Sequence, residues 1–140
     1  MPNWNEATFE VVGDKEIIDV ILKTGFDFDK IRPEPEDIME QPDVPSHVLE
    51  GATSPAWYEW RIKNWGTKWK PTAENNHLNV ERISDIKLKV YMTTAWCLPI
   101  EILKFITMRY PIQITGTTQE ETEEITTSFI VDKGVIKGGV

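Results

Sequence analysis

Four of the six tryptophans fall within thirteen residues, at Trp57, Trp60, Trp65 and Trp69, and Arg61, Lys63, Lys68 and Lys70 stand among or beside them. Indole rings interleaved with cations are the chemistry of stacking on single-stranded nucleic acid, where each stacked base contributes about 1–3 kcal/mol. The same residues also suit the buried stripe of a small two-layer domain, for which tryptophan is the largest filler. The pattern favours core, with Trp57, Trp60, Arg61, Lys63, Lys68 and Lys70 kept as an alternative nucleic-acid-binding set.

A second chemistry is carboxylate-rich. Residues 27–50 hold eight acids against Lys30 and Arg32, and a second acidic run spans Glu120 to Glu124. Acids arrayed on a rigid domain imitate a phosphate backbone and are steered into the basic groove of a nucleic-acid enzyme. The partner-binding residues expected on that basis are Asp27, Asp29, Glu34, Glu36, Asp37, Glu40 and Asp43, with Glu120, Glu121, Glu123 and Glu124 second.

Other constellations are weaker. Asp27 and Asp29 with Glu34, Glu36 and Asp37 lack the glycine and ligand spacing of a calcium loop, so no metal is expected. Ser46 and His47 are adjacent, but adjacency does not give a nucleophile and base their geometry or a third orienting group. His77 stands in a polar stretch. The single Cys97 cannot form an internal disulfide and sits in an apolar run, which reads as inert packing. Phosphate-loop, dinucleotide and hydrolase motifs are missing, and neither catalysis nor a cofactor is expected.

The 140 residues suit one domain with its own core, and 40% hydrophobic with 27% charged residues argue against disorder over most of the length. A formal charge of −8 disfavours general DNA or RNA binding. The first ten residues lack the pattern of a signal peptide, and no stretch of eighteen apolar residues occurs, so a cytoplasmic protein without a membrane span is expected.

The elements that must position these groups follow from periodicity. Ala7 to Val12 reads as a strand, and Asp14 precedes a helix from Lys15 to about Lys23, with Ile17, Ile18, Ile21 and Leu22 at helical spacing and Gly25 as its cap. Residues 26–53 read as a proline-rich, acid-rich surface loop whose Phe26, Phe28 and Ile31 pin its start to the core. Ser54 and Pro55 open a helix ending before Gly66, with Tyr58, Ile62 and Trp65 on one face and Trp57, Trp60, Arg61 and Asn64 on another, whose direction is left open and whose Trp60 is expected half-buried. A polar loop covers Pro71 to Asn79. Ile86 to Thr93 alternates as a half-buried strand with Ile86, Leu88, Val90 and Met92 inward. Ile100 to Arg109 reads as a helix between Pro99 and Pro111, with Ile102, Leu103, Ile106 and Tyr110 as its stripe. Strands follow at Ile112 to Thr118 and Ile125 to Val131, and Asp132 to Gly134 turns into a short last strand. This order fits a single α+β domain over residues 1–140, a ferredoxin-like two-layer sandwich whose mainly antiparallel sheet carries helices on one face.

Several segments also resemble a family in the order in which that family carries them. These are Met1 to Asn5, Phe26 to Pro33 with Pro35 beyond, Trp57-Tyr58 and Trp60 leading to Asn64 through Trp69, and Thr94 through Pro99. Together they are similar to the YubB-like, or Api-like, proteins of phages and plasmids. The resemblance implies a ferredoxin-like domain and a mobile-element origin, in a family without an established activity. Two positions depart from it: Asn5 stands where cysteine is common, and Cys97 where serine is common. The function expected is a non-enzymatic accessory protein in the host-cell cytoplasm. It would bind a host protein, such as a restriction or CRISPR nuclease complex, through its acids; the oligomeric state is left open.

Overall fold

In the computed structural model, residues 3–36, 56–74 and 76–138 are described. Their elements run in chain order as strand β1 (Trp4–Val12), helices α1 (Lys15–Thr24), α2 (Phe28–Ile31) and α3 (Ala56–Asn64), strands β2 (Leu78–Ser84) and β3 (Lys87–Ala95), helix α4 (Ile100–Arg109), and strands β4 (Gln113–Glu120), β5 (Thr127–Asp132) and β6 (Val135–Gly138). The fold is α+β, with one antiparallel six-stranded sheet in the order β2-β3-β1-β4-β5-β6 and four helices among the described residues.

Strand β1 is central. It pairs with β3 from Trp4 opposite Ala95 to Val12 opposite Lys87, and with β4 from Asn5 opposite Glu120 to Val12 opposite Gln113. Its period of two sends Ala7, Phe9 and Val11 into the core and Glu6, Thr8 and Glu10 to the opposite face. Leu88, Val90 and Met92 of β3, Ile114 of β4, and Phe129 and Val131 of β5 share the inward face, where Ile18 and Ile21 of α1 and Ile102, Leu103 and Ile106 of α4 cover them. Gly116 lies opposite Phe9, and a Cβ there would run into the Thr8 carbonyl and the Phe9 backbone, so the two strands depend on glycine for their close approach.

The local signals place several elements where periodicity put them. Helix α1 ends at Gly25 with φ 61°, and α4 spans ten of the eleven residues between its prolines. Lys133 and Gly134, at φ 51° and 78°, make the two-residue turn between β5 and β6.

Two expectations are corrected, and the direction left open for α3 is decided. The stretch from residue 26 is not all loop: Asp27 Oδ1 accepts from the Asp29 amide at 2.9 Å and starts the one-turn helix α2, whose Phe28 and Ile31 are buried as expected. Residues 37–53 of that stretch, and Ser54 and Pro55, lie outside the described residues. Second, β2 begins inside the stretch read as a polar loop, and Ile86, placed on the inward face of β3, is 52% exposed at the β2–β3 turn. Of the two faces of α3, the second is turned inward. Tyr58 and Ile62 do not form a buried face, since Ile62 is exposed, whereas Trp60 is half-buried as expected and packs on the core at 5.5 Å from Trp65. Trp65 itself, just past the helix, is fully enclosed, with its indole N–H donating to the Arg32 carbonyl at 3.0 Å and its ring edge-on to Phe28.

Gly66, at φ 85°, lets the chain leave α3 against the start of α4: a Cβ on it would sit 2.9 Å from the Ile100 amide nitrogen. The Trp65 carbonyl accepts from the Ile102 amide at 3.2 Å, satisfying one of the free N–H groups of α4. The residues after α3 are thereby delivered to one end of the sheet.

Candidate functional site

The two sets of charges expected to act separately meet each other. Glu34 is buried and receives Arg61 through two hydrogen bonds, Nε to Oε2 at 2.6 Å and Nη2 to Oε1 at 3.1 Å. Arg61 also donates to the Lys68 carbonyl at 3.1 Å and lies over the rings of Trp57 and Trp65. Lys70 bridges Asp27 at 3.1 Å and Asp29 at 3.0 Å. Desolvation pulls the Lys70 pKa down, but the hydrogen bonds that its ammonium donates to Asp29 and Asp27 outweigh it and leave the pKa raised. These five groups form a clamp between α2 and the chain around α3. Glu34 is therefore a structural anchor and not an outward acid, and Asp27 and Asp29 share the single positive charge of Lys70. Glu36 is exposed; Asp37, Glu40, Asp43, Ser46 and His47 lie outside the described residues.

The Glu120–Glu124 turn is tied to the same end of the sheet as Trp4. Glu121 Oε1 accepts from the Trp4 amide at 3.0 Å, and the Glu121 amide donates to the Trp4 carbonyl at 2.9 Å. Glu120 accepts from the Thr122 hydroxyl through Oε2, while its Oε1 is buried without a hydrogen-bond partner. Glu123 and Glu124 are exposed.

The exposed tryptophans are not the pair singled out on α3. Trp69 is 42% and Trp96 47% exposed, and the Lys68 ammonium lies 4.2 Å from the centroid of each ring. Trp4 extends this ledge, 6.2 Å from Trp69, and makes ring contact with His77 at 4.8 Å. Trp96 is held in the left-handed region, at φ 70°, a conformation that costs a non-glycine residue about 1–2 kcal/mol. Its amide donates to the Asn3 carbonyl at 2.7 Å, and Thr94 Oγ1 donates to the Cys97 carbonyl at 2.6 Å, which fixes the turn. Strain that exposes a large apolar ring is a device found at functional sites. Sequence reading missed Trp96 and Trp69 as the outward pair, because the direction of Trp96 is set by its backbone angle.

Cys97, expected to pack, is exposed. Its Sγ donates to the Gly66 carbonyl at 3.3 Å, and desolvation pushes the thiol pKa up, away from a reactive thiolate. Of the other candidates, Lys63 is exposed and Trp57 half-buried. On the open face beside Trp4 is a shallow cleft of about 300 Å³, where His77 and Tyr91 face Glu6 and Glu121. The Tyr91 hydroxyl donates to Glu6 at 3.0 Å. Among the described residues, no group of three or more His, Cys, Asp or Glu side chains converges as a metal site, and no helix is long and apolar enough to cross a membrane.

A solved structure has the same architecture: protein Api92 from Yersinia pseudotuberculosis, described by the family model DUF1281, superposes with a TM-score of 0.61 over 96% of this chain and 95% of that one, at 8% identity. The likeness is one of fold. No protein-family model matches the sequence, and no curated protein matches it significantly.

Proposed function

We propose that this chain is a binding protein without catalytic function, whose contact surface is the ledge of Trp69, Lys68, Trp96 and Trp4. The observation that carries the reading is Lys68 lying between two exposed indoles, one of them on a strained backbone. Exposed tryptophans beside a cation supply the anchor residues that dominate protein interfaces. Around the ledge, Glu121, Glu123 and Glu124 and a net charge of −8 suit a partner with a basic face. A nucleic-acid-handling defence complex of a host cell has such a face, and the ordered segments shared with Api-like proteins support a mobile-element origin. The strand order β2-β3-β1-β4, with one helix after β1 and another between β3 and β4, supports a ferredoxin-like core to which β5 and β6 are added.

The test is affinity capture from host-cell lysate with tagged wild-type protein and with Trp69→Ala/Trp96→Ala, washed at low and high salt. A stoichiometric protein retained by the wild type and lost with the double variant is expected. Its retention by both variants would remove the ledge from the reading. The Lys68 arrangement also favours a second reading, single-stranded nucleic acid stacked on the same two indoles. Quenching of tryptophan emission by oligonucleotides at low salt would identify it.

A further inference from the structure

Behind Trp96, on the helix side of the sheet end, lies a cavity of about 350 Å³ that shares Trp96 alone with the ledge. Its walls are apolar where Leu98, Ile100, Ile125 and Trp96 face it, and Asn5 and Thr118 close it with a buried hydrogen bond of 2.6 Å. Two carboxylates, Glu120 and Glu123, line it, and none of the described residues lining it is basic. Glu120 sits at its edge with one oxygen tied to Thr122 and the other buried and unpartnered. A buried acceptor left without a donor is a deficit that native structures rarely carry unless something supplies the donor.

We infer that this cavity binds an alkyl-ammonium or alkyl-guanidinium group. Apolar walls of this length take a short methylene stem, the Trp96 ring offers a face to the cation, and Glu120 accepts the terminal N–H groups as a charge-assisted pair. Asn5 and Thr118, held by each other, set the depth of the cavity. The ligand's source is either a free diamine or guanidino-amine, or a lysine or arginine side chain presented by a peptide. The proposal does not rest on the partner-binding reading: the two share Trp96, but this one turns on Glu120 and is read with a small probe.

Cys97 is the only cysteine and stands at the rim, so its alkylation reports occupancy directly. The rate of iodoacetamide labelling of the full chain is measured against increasing agmatine, 1,4-diaminobutane, a Gly-Arg-Gly peptide and the neutral isostere pentylurea. Saturable protection by the cations and none by pentylurea is expected, with Glu120→Gln weakening the apparent affinity about tenfold. Protection by agmatine assigns the site to free amines, and protection by the peptide alone assigns it to a side chain. Should Glu120→Gln fail to fold, Ile125→Arg, at a position 71% exposed, places a guanidinium at the rim and is expected to abolish the protection. Equal protection by pentylurea, no protection by any cation, or unchanged protection in the variants would overturn the assignment.

Discussion

Replacing Arg61 by alanine tests whether the clamp between Glu34 and α3 holds this end of the molecule together. The Glu34 side chain is 3% exposed and that of Arg61 25%, so the substitution leaves a carboxylate buried with its counter-ion gone. Breaking a buried pair in this way costs about 3–5 kcal/mol, and the partial exposure of Arg61 places this one near the lower end. Loss of the guanidinium from the faces of Trp57 and Trp65 adds about 0.5–1 kcal/mol. The sum of about 3–4 kcal/mol corresponds to a fall in Tm of about 10–13 °C for a domain of this size. Urea unfolding followed by tryptophan emission would measure it, with the m-value as the check that the denatured state is unchanged. The double substitution Glu34→Leu/Arg61→Met is expected to recover more than half of the loss, because both charges are then removed. A cost below about 1 kcal/mol for Arg61→Ala, or additive effects in the two single variants, would refute the reasoning.

Two further outcomes follow from the same coordinates. Asp19 is held below the usual carboxylate range by Arg82 first, at 2.6 Å, and by Lys15 second, at 3.0 Å. A depressed folded-state pKa stabilises above the unfolded value and ceases to do so as pH falls through the folded one, so the difference in stability between wild type and Asp19→Asn should be present at pH 6–7, begin to shrink near pH 4, and vanish only as the pH falls below the depressed folded-state pKa. At Trp96, with φ 70°, Trp96→Gly and Trp96→Ala remove the same ring but differ in backbone strain. Thermal melts should show the glycine variant more stable by about 1 kcal/mol; equal stabilities would mean that the turn relaxes without the ring.

What the sequence displayed was local. Ile17, Ile18, Ile21 and Leu22 before Gly25, and the Ile102-Leu103-Ile106 stripe between two prolines, carry their helices in their own spacing, and the structure places both there. The alternation of Leu88, Val90 and Met92 does the same for β3. Helix α3 defeats this reading because aromatic residues occupy both of its sides, so periodicity cannot choose between them. The choice is made by Glu34, which lies 27 positions upstream and reaches Arg61 only in the fold. Strand β2 is masked because its inward series, Leu78, Val80 and Arg82, ends in an arginine, and Ile83 falls on the outer side. The ledge is illegible for a related reason: Trp96 is outward because of a backbone angle, and composition has no access to a φ of 70°.

The clamp also has a meaning for how the chain can vary. Glu34 and Arg61 close a loop of 27 positions, and the entropy of closing a loop rises only with the logarithm of its length. Doubling the chain between them adds about 0.6 kcal/mol, far less than the loss of one partner of the pair costs. The entropic cost of joining the pair therefore depends little on how many residues separate Glu34 from Arg61. Whatever that number is, the two attachment points stay fastened by one carboxylate and one guanidinium.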